Sequence, residues 1–463
     1  MAPKFGTSGL RGLVVELTAE LVSDYTRAFL AACPTGGAVH VGWDLRPSSP
    51  DIAAVVMQTI AAEGVAVMNC GALPTPALAL DAMAAGHAAV MITGSHIPAD
   101  RNGLKFYVPS GEISKADEEG INANLGRAAS GAIPAPIVEA PAALPAYVER
   151  YKDGFGTSAL AGLKIGVYQH SSVARGAMVE VVEGLGAEAV ILAPSDVFIP
   201  VDTEALDAET RAMLSGWCSE HGLDAVISTD GDADRPMVAD ATGRIVPGDV
   251  LGALSAKTLG AKVICTPVSS NTLVQEMGFD KVVSTKIGSP FVIAAMEAEL
   301  AADPAAAVVG YEANGGFLLG FAASGPAGKL APLMTRDCLL PILTPLAAAV
   351  AEGKTLADLV AALPPRFTAA DRIAGIETDV SKAFIARLTE DASARAGFFA
   401  DMGSEEAVDL TDGLRLRFES GDVVHLRPSG NAPEFRCYAE AATSGRAEEL
   451  VTGYLGKLGR ELA

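Results

Sequence analysis

The chain has 463 residues, half of them hydrophobic, 5% aromatic and 19% charged, which excludes both a single small module and a disordered chain. Counting 34 Lys plus Arg against 56 Asp plus Glu leaves a formal charge of −22, and so acidic a surface repels phosphate backbones and anionic headgroups beyond a Debye length of about 8 Å. Nucleic acid and membranes are therefore not expected as partners, and an anionic substrate has to be caught at short range by Arg, Lys and backbone N–H groups. Six cysteines (Cys33, Cys70, Cys218, Cys265, Cys338, Cys437) lie far apart with no C-x-x-C, as in reduced thiols of a cytoplasmic protein. Met1 leads into Ala-Pro-Lys-Phe-Gly without an apolar leader, and the most apolar late stretch, 338–351, is broken by Pro341 and Pro345. Neither a signal peptide nor a transmembrane helix is expected.

From Ala38 the chain alternates short Val-rich runs with longer helical periods. Ala38–Trp43 reads as a strand, and Ser49-Pro50 opens a helix that stops at Gly64, with Ser as cap and Pro in the first turn. A strand at 65–70, a helix from Thr75-Pro76 to Gly86 and a strand at 88–93 follow, an alternation that builds a parallel sheet covered on both faces. After the Pro/Ala-rich stretch 128–145 the pattern restarts: strands at 163–168, 187–192 and 224–229, with helices near 173–185 and 209–221. Beyond 243–248 it appears a third time, with strands at 262–266, 281–285 and 306–310 separated by helical stretches. Pro364-Pro365-Arg366 then leads to a different segment, with strands at 414–419 and 422–427 and a helix near 446–462. The expected architecture is α/β: three similar mixed α/β domains with parallel-type sheets (1–140, 141–245, 246–365) and a C-terminal α+β domain (366–463), around a central cleft.

Each repeated unit carries a polar, Gly-containing loop after an apolar strand: Thr93-Gly-Ser-His-Ile-Pro, Asp230-Gly-Asp-Ala-Asp-Arg and Tyr311-Glu-Ala-Asn-Gly-Gly. Ligands of parallel α/β sheets bind at the carboxyl ends of strands, so the three invite a composite site. Asp230, Asp232 and Asp234 alternate with small residues and can turn toward one hard cation, Mg²⁺ being the best candidate, or form a solvated acidic loop. A calcium loop is excluded, because the required sixth-position Gly is Arg235 and the twelfth-position Glu is Ala241. Ser95 reads as a nucleophile or phosphate carrier, or as a turn serine beside His96. No G-x-S-x-G elbow or G-x-x-x-x-G-K-[ST] loop is present, which removes serine hydrolases and P-loop nucleotidases. Near the C-terminus, Arg427-Pro-Ser-Gly-Asn-Ala-Pro with Arg436 suits either a phosphate cradle or a tight turn with surface arginines. Gly6-Thr-Ser-Gly-Leu-Arg-Gly places Arg11 in an anion-contact position or in a capped turn.

Taken in this order the segments resemble the α-D-phosphohexomutase family, over nearly the whole chain. Phe5-Gly-Thr-Ser-Gly-Leu-Arg-Gly resembles its opening motif, Thr93-Gly-Ser-His-Ile-Pro with Asn102-Gly-Leu-Lys105 its phosphoserine loop, and Asp230-Gly-Asp-Ala-Asp-Arg its metal loop. Gly310-Tyr-Glu-Ala-Asn-Gly resembles the sugar loop and Arg427-Pro-Ser-Gly-Asn the phosphate loop. The resemblance implies an isomerase that exchanges hexose 6-phosphate and hexose 1-phosphate through a phosphoserine and a hexose 1,6-bisphosphate, which also serves as activator. Mannose phosphate is expected first as substrate, glucose phosphate next and glucosamine phosphate third.

In that reading Ser95 carries the phosphoryl group and Mg²⁺ sits between it and Asp230, Asp232 and Asp234. Arg11 and Lys105 help with proton transfer, and His96 and Arg235 complete the catalytic set. Glu312 and Asn314 contact sugar hydroxyls, Lys286 and Ser289 face the sugar, and Arg427, Ser429, Gly430, Asn431 and Arg436 bind the nonreacting phosphate. Two departures stand out: Asn314 and Gly316 occupy places where many relatives have Ser and His, and Ile97 stands where Asn is usual. A Mg²⁺-dependent phosphatase would need no cradle for a second phosphate, and a noncatalytic sugar-phosphate sensor would need neither Ser95 nor the aspartates.

Overall fold

The computed structural model describes residues 3–6, 9–204, 206–429 and 434–462. Three sheets share one plan. In the second unit, Glu188–Pro194, Lys164–His170 and Ala225–Thr229 run parallel in that order, and Pro236–Asp240 and Ile245–Val246 follow antiparallel. The third repeats it with Lys281–Thr285, Val263–Pro267 and Val308–Tyr311, then antiparallel Phe317–Leu319 and Leu333–Asp337. The first has Ala66–Ala72, Ala38–Trp43 and Ala88–Ile92 parallel, with Arg101–Val108 and Leu10–Leu13 antiparallel beyond them.

The sheets are thus mixed rather than wholly parallel, and chain length explains it. The connections after the third strand are 93–100, 230–235 and 312–316, too short for the crossover of a dozen or more residues that a parallel neighbour needs. The chain returns as a hairpin, and those hairpin loops are the three polar loops read from the sequence. Lys105 consequently lies on the strand Arg101–Val108 and Arg11 on Leu10–Leu13, not in turns.

Three expectations are corrected by local chemistry. Pro341 and Pro345 do not break their segment, which is one helix, Leu339–Glu352. Pro341 lies in the first turn, where its missing N–H has no intrahelical partner, and only Pro345 removes an internal bond in a buried element. The segment after Val263–Pro267 is a short 3₁₀ turn, Thr272–Glu276, rather than a helix. Ser49 does not cap its helix either: its hydroxyl donates to Asp44 Oδ1 at 2.6 Å.

One apolar core runs through the first three units, from Leu78 and Tyr147 through Ile165 and Ile227 to Val309 and Leu343. The fourth has a core of its own, with Leu416, Leu426, Phe435 and Tyr454, under an antiparallel sheet ordered Phe367–Ala374, Glu434–Ala441, Val423–Pro428, Leu414–Phe418, Glu405–Asp409. Among the described residues no helix is long and apolar enough to cross a membrane.

Candidate active site

Ser95 is 1% exposed and has φ of 54°, a left-handed backbone that a non-glycine residue holds only when its surroundings impose it. The brace is Arg46, in the loop that follows the strand Ala38–Trp43. Its guanidinium donates to the carbonyls of Ser95 (2.8 Å), Ile97 (2.6 Å), Pro98 (2.7 Å) and Arg101 (3.0 Å), and its Nε donates to Asp44 at 3.1 Å. Gly94 has to be glycine, because a Cβ there would lie 2.7 Å from the guanidinium carbon. Thr93 completes the brace, donating to Asp44 and accepting the Ser95 N–H, both at 2.7 Å.

The Ser95 hydroxyl donates to Asp230 Oδ2 at 2.6 Å, across the boundary between the first and second units. Asp230, Asp232 and Asp234 are buried, with carboxylate oxygens within 4.8 Å of one another. Lys105 Nζ reaches Asp232 Oδ2 at 2.5 Å and Asp234 Oδ2 at 2.6 Å, and Thr75 donates to Asp232 Oδ2 at 2.7 Å. The Oδ1 atoms of Asp232 and Asp234 are buried without a hydrogen-bond partner. Burial and the two neighbouring carboxylates push Asp230 well up, whereas for Asp232 and Asp234 the cations Lys105 and Arg336 outweigh burial and hold them low. An all-oxygen set with orphaned buried oxygens and mutual repulsion fits a hard cation.

More cations converge on the same carboxylates. Arg235 Nε is 3.8 Å from both Asp230 and Asp234, and these charges outweigh burial and keep its pKa raised. Arg11 is lowered to about 10, by burial and by repulsion from Arg235 and Arg336. His96 Nδ1 lies 3.3 Å from Ser95 Oγ, and burial beside Arg235 and Arg11 pushes its pKa far down, so the ring is neutral.

Glu312 and Asn314 are buried in the third hairpin loop, but the Asn314 side-chain oxygen accepts the Gly316 N–H at 2.9 Å and shapes the loop itself. Ser289 is committed to Glu112 of the first unit, at 3.0 Å. Through Glu112, which lies 3.8 Å from Arg336 Nε, Ser289 is linked to the edge of this cluster, whereas Lys286 is exposed, 5.9 Å from the Phe291 ring. In the fourth unit Arg427 and Arg436 stand directly opposite on paired strands, an arrangement of like charges that a dianion would relieve. Arg427 pairs with Asp412 at 2.9 Å, and Asp412 also accepts the Ile287 N–H of the third unit at 2.9 Å. Ser429 is buried at the end of this pair of strands, while Gly430 and Asn431 lie outside the described residues. Sequence reasoning missed Arg46, Thr75, Glu112, Arg336 and Asp412, which carry no motif. The one local cue was Asp44-Leu-Arg46 directly after a strand, the position of the other chemistry-bearing loops.

Family models for phosphoglucomutase/phosphomannomutase match in order: α/β/α domain I at residues 2–131, II at 145–243, III at 247–367 and the C-terminal domain at 347–453. The chain belongs to the phosphoglucomutase/phosphomannomutase family. It is 45% identical to a phosphomannomutase of Sinorhizobium fredii, over 99% of both chains. It is 40% identical to a phosphomannomutase of Salmonella muenchen, over 98% of this chain and 96% of that one. Its fold is that of a family member from Burkholderia thailandensis, with TM-score 0.77, 20% identity and coverage of 99% and 98%. The phosphohexomutase resemblance read from the loops therefore holds along the whole length, and the chain is an isomerase of that class.

Proposed function

We propose that the chain interconverts mannose 6-phosphate and mannose 1-phosphate, with Ser95 as phosphoryl carrier and hexose 1,6-bisphosphate as intermediate and activator. The observation that carries the reading is the Ser95 hydroxyl 2.6 Å from Asp230, within a buried carboxylate triplet and ringed by cations. Mannose is favoured because the two relatives at 45% and 40% identity bear the name phosphomannomutase. The reading divides the work among four units, 1–140, 141–245, 246–365 and 366–463.

Asp230, Asp232, Asp234 and the Ser95 oxygen would hold Mg²⁺, which when bound supplies charge neutralisation to the transferring phosphoryl group. Lys105, by taking the Oδ2 atoms of Asp232 and Asp234, leaves their Oδ1 atoms for the cation. Arg235 and Arg11 face the same place and oppose the charge on the phosphoryl oxygens. Neutral His96, its Nδ1 3.3 Å from Ser95 Oγ, can hydrogen-bond the carrier oxygen without adding a further cation to the site. Burial and repulsion bring the Arg11 proton to about 10, closer to transfer than that of a solvated guanidinium. Glu312, pushed up by burial, and Asn314 form the sugar side. Arg427, Ser429 and Arg436, with Gly430 and Asn431, would grip whichever phosphate is not reacting, and the same handle has to serve both orientations of the bisphosphate.

Rates on mannose, glucose and glucosamine 1-phosphates with added bisphosphate should be highest for mannose. Ser95→Ala should lose most turnover, and peptide mapping should place a labile phosphate on Ser95. Net phosphate release would favour a phosphatase, and stoichiometric phosphate on another residue would overturn the carrier assignment.

A further inference from the structure

We propose that Arg336 is a positioning residue of the transfer site, holding the loop of Asp234 and the loop of Glu312 in one fixed relation; the inference rests on the mutase reading above. Arg336 lies on the strand Leu333–Asp337 and is 3% exposed. Its Nη2 is 2.8 Å from Asp234 Oδ2, its Nη1 3.7 Å from Glu312 Oε2 and its Nε 3.8 Å from Glu112 Oε1. One guanidinium therefore faces a carboxylate from each of the first three units.

The strand that carries it is anchored on both sides. Thr335 donates to Glu112 at 3.2 Å, and Asp337 accepts from Tyr147 at 2.5 Å and also from Tyr151 of the helix Ala143–Phe155. The aliphatic stem also supports the third loop. A Cβ on Gly316 would fall 2.8 Å from both Cγ and Cδ of Arg336, so the loop backbone lies directly on that stem. The head fixes Asp234 while the stem fixes the turn after Glu312. A planar fork can address three carboxylates in set directions; a lysine ammonium in the same place is a point charge.

Charge and orientation make opposite demands on the metal site, and this separates them. If Arg336 acted only as a nearby positive charge, removing it would tighten Mg²⁺ binding to the carboxylates. If it holds Asp234 so that Oδ1 stays presented, removing it loosens binding.

The experiment compares Arg336→Met, which keeps a stem against Gly316, with Arg336→Lys, which keeps the charge. Thermal melts, kcat and KM for mannose 1-phosphate, and calorimetric titration of the dephosphorylated protein with Mg²⁺ alone are the readouts. We expect Met to lower kcat about 100-fold with KM changed less than about threefold, and Lys to recover about tenfold of the loss. Mg²⁺ should bind Arg336→Met about fivefold more weakly. A rise in KM with kcat unchanged, equal losses for both variants in step with a lower melting temperature, or tighter Mg²⁺ binding would each overturn the proposal. If the wild-type protein turns over none of the three sugar phosphates, the mutase reading itself has failed, and the Mg²⁺ titration still tests the role of Arg336.

Discussion

Asp249 shows how a single buried carboxyl outside the transfer site sets a pH dependence. It is 4% exposed on the helix Gly248–Thr258, its Oδ2 accepts the Asn271 N–H at 2.8 Å, and its Oδ1 is buried without a partner. Burial pushes its pKa up to about 6. The folded protein thus holds this proton more tightly than the unfolded chain, so its contribution is fully present below about pH 4 and is lost as pH rises through about 6. Asp249→Asn should stabilise the protein at pH 8 by about 2 kcal/mol and give almost no gain near pH 4; melts at the two pH values check this, and an equal gain at both would exclude the charge as cause. Ser95 and the aspartates were legible in the sequence because each sits in a loop whose residue types already suggest chemistry. Asp249 and Arg336 were not, since a lone charged residue in an ordinary element acquires meaning only from neighbours that folding brings to it.

At the scale of elements, the start of the helix Gly248–Thr258 sets the shape of the third loop. A Cβ on Gly248 would lie 2.3 Å from the Gly315 nitrogen and 2.5 Å from the Ala313 carbonyl oxygen, backbone atoms that no rotamer change can move. Gly248→Ala should therefore displace the loop bearing Glu312, costing about 1–3 kcal/mol of stability and lowering kcat/KM at least about tenfold. Kinetics alongside a melt would show it; an unaffected rate would mean the loop has slack. The parallel strands were readable from their Val-rich runs, and the bounds of Lys281–Thr285 coincide with the expectation. The returning strands Arg101–Val108 and Pro236–Asp240 were not: residues 102–105 read as part of the preceding polar loop, and the second strand is five residues long and opens on a proline directly after Arg235. Leu339–Glu352 misled for another reason: proline was weighed as a breaker without regard to its place in the first turn.

Across the whole molecule, the first three units share a core while the fourth is attached through polar contacts near Pro364-Pro365. Glu440, 3% exposed, is 2.5 Å from Arg366 Nε and accepts the Thr272 N–H at 2.9 Å, and Asn271 donates to the Arg366 carbonyl at 2.9 Å. A cavity of about 850 Å³ opens beside this junction, reaching from Thr203 to His425 and Tyr438. Glu440→Gln should loosen the junction by about 1–3 kcal/mol, giving the fourth unit its own lower-temperature transition in calorimetry and a higher KM for every sugar phosphate. One unchanged transition would show that the fourth unit is held by something else. The change of segment at Pro364-Pro365 was visible in the sequence as a change of pattern. The stitching between units was not, because partners such as Thr75 and Asp232 lie 157 positions apart.

The contact between Gly316 and the Arg336 stem also constrains how this sequence can change. Any side chain at 316 collides while Arg336 is in place, and replacing Arg336 first strips Asp234 of its 2.8 Å partner. Each substitution is harmful on the background that lacks the other. A lineage moving from this loop to one with a bulkier residue at 316 has to cross a fitness valley or change both positions together, so the two should be inherited as a linked pair.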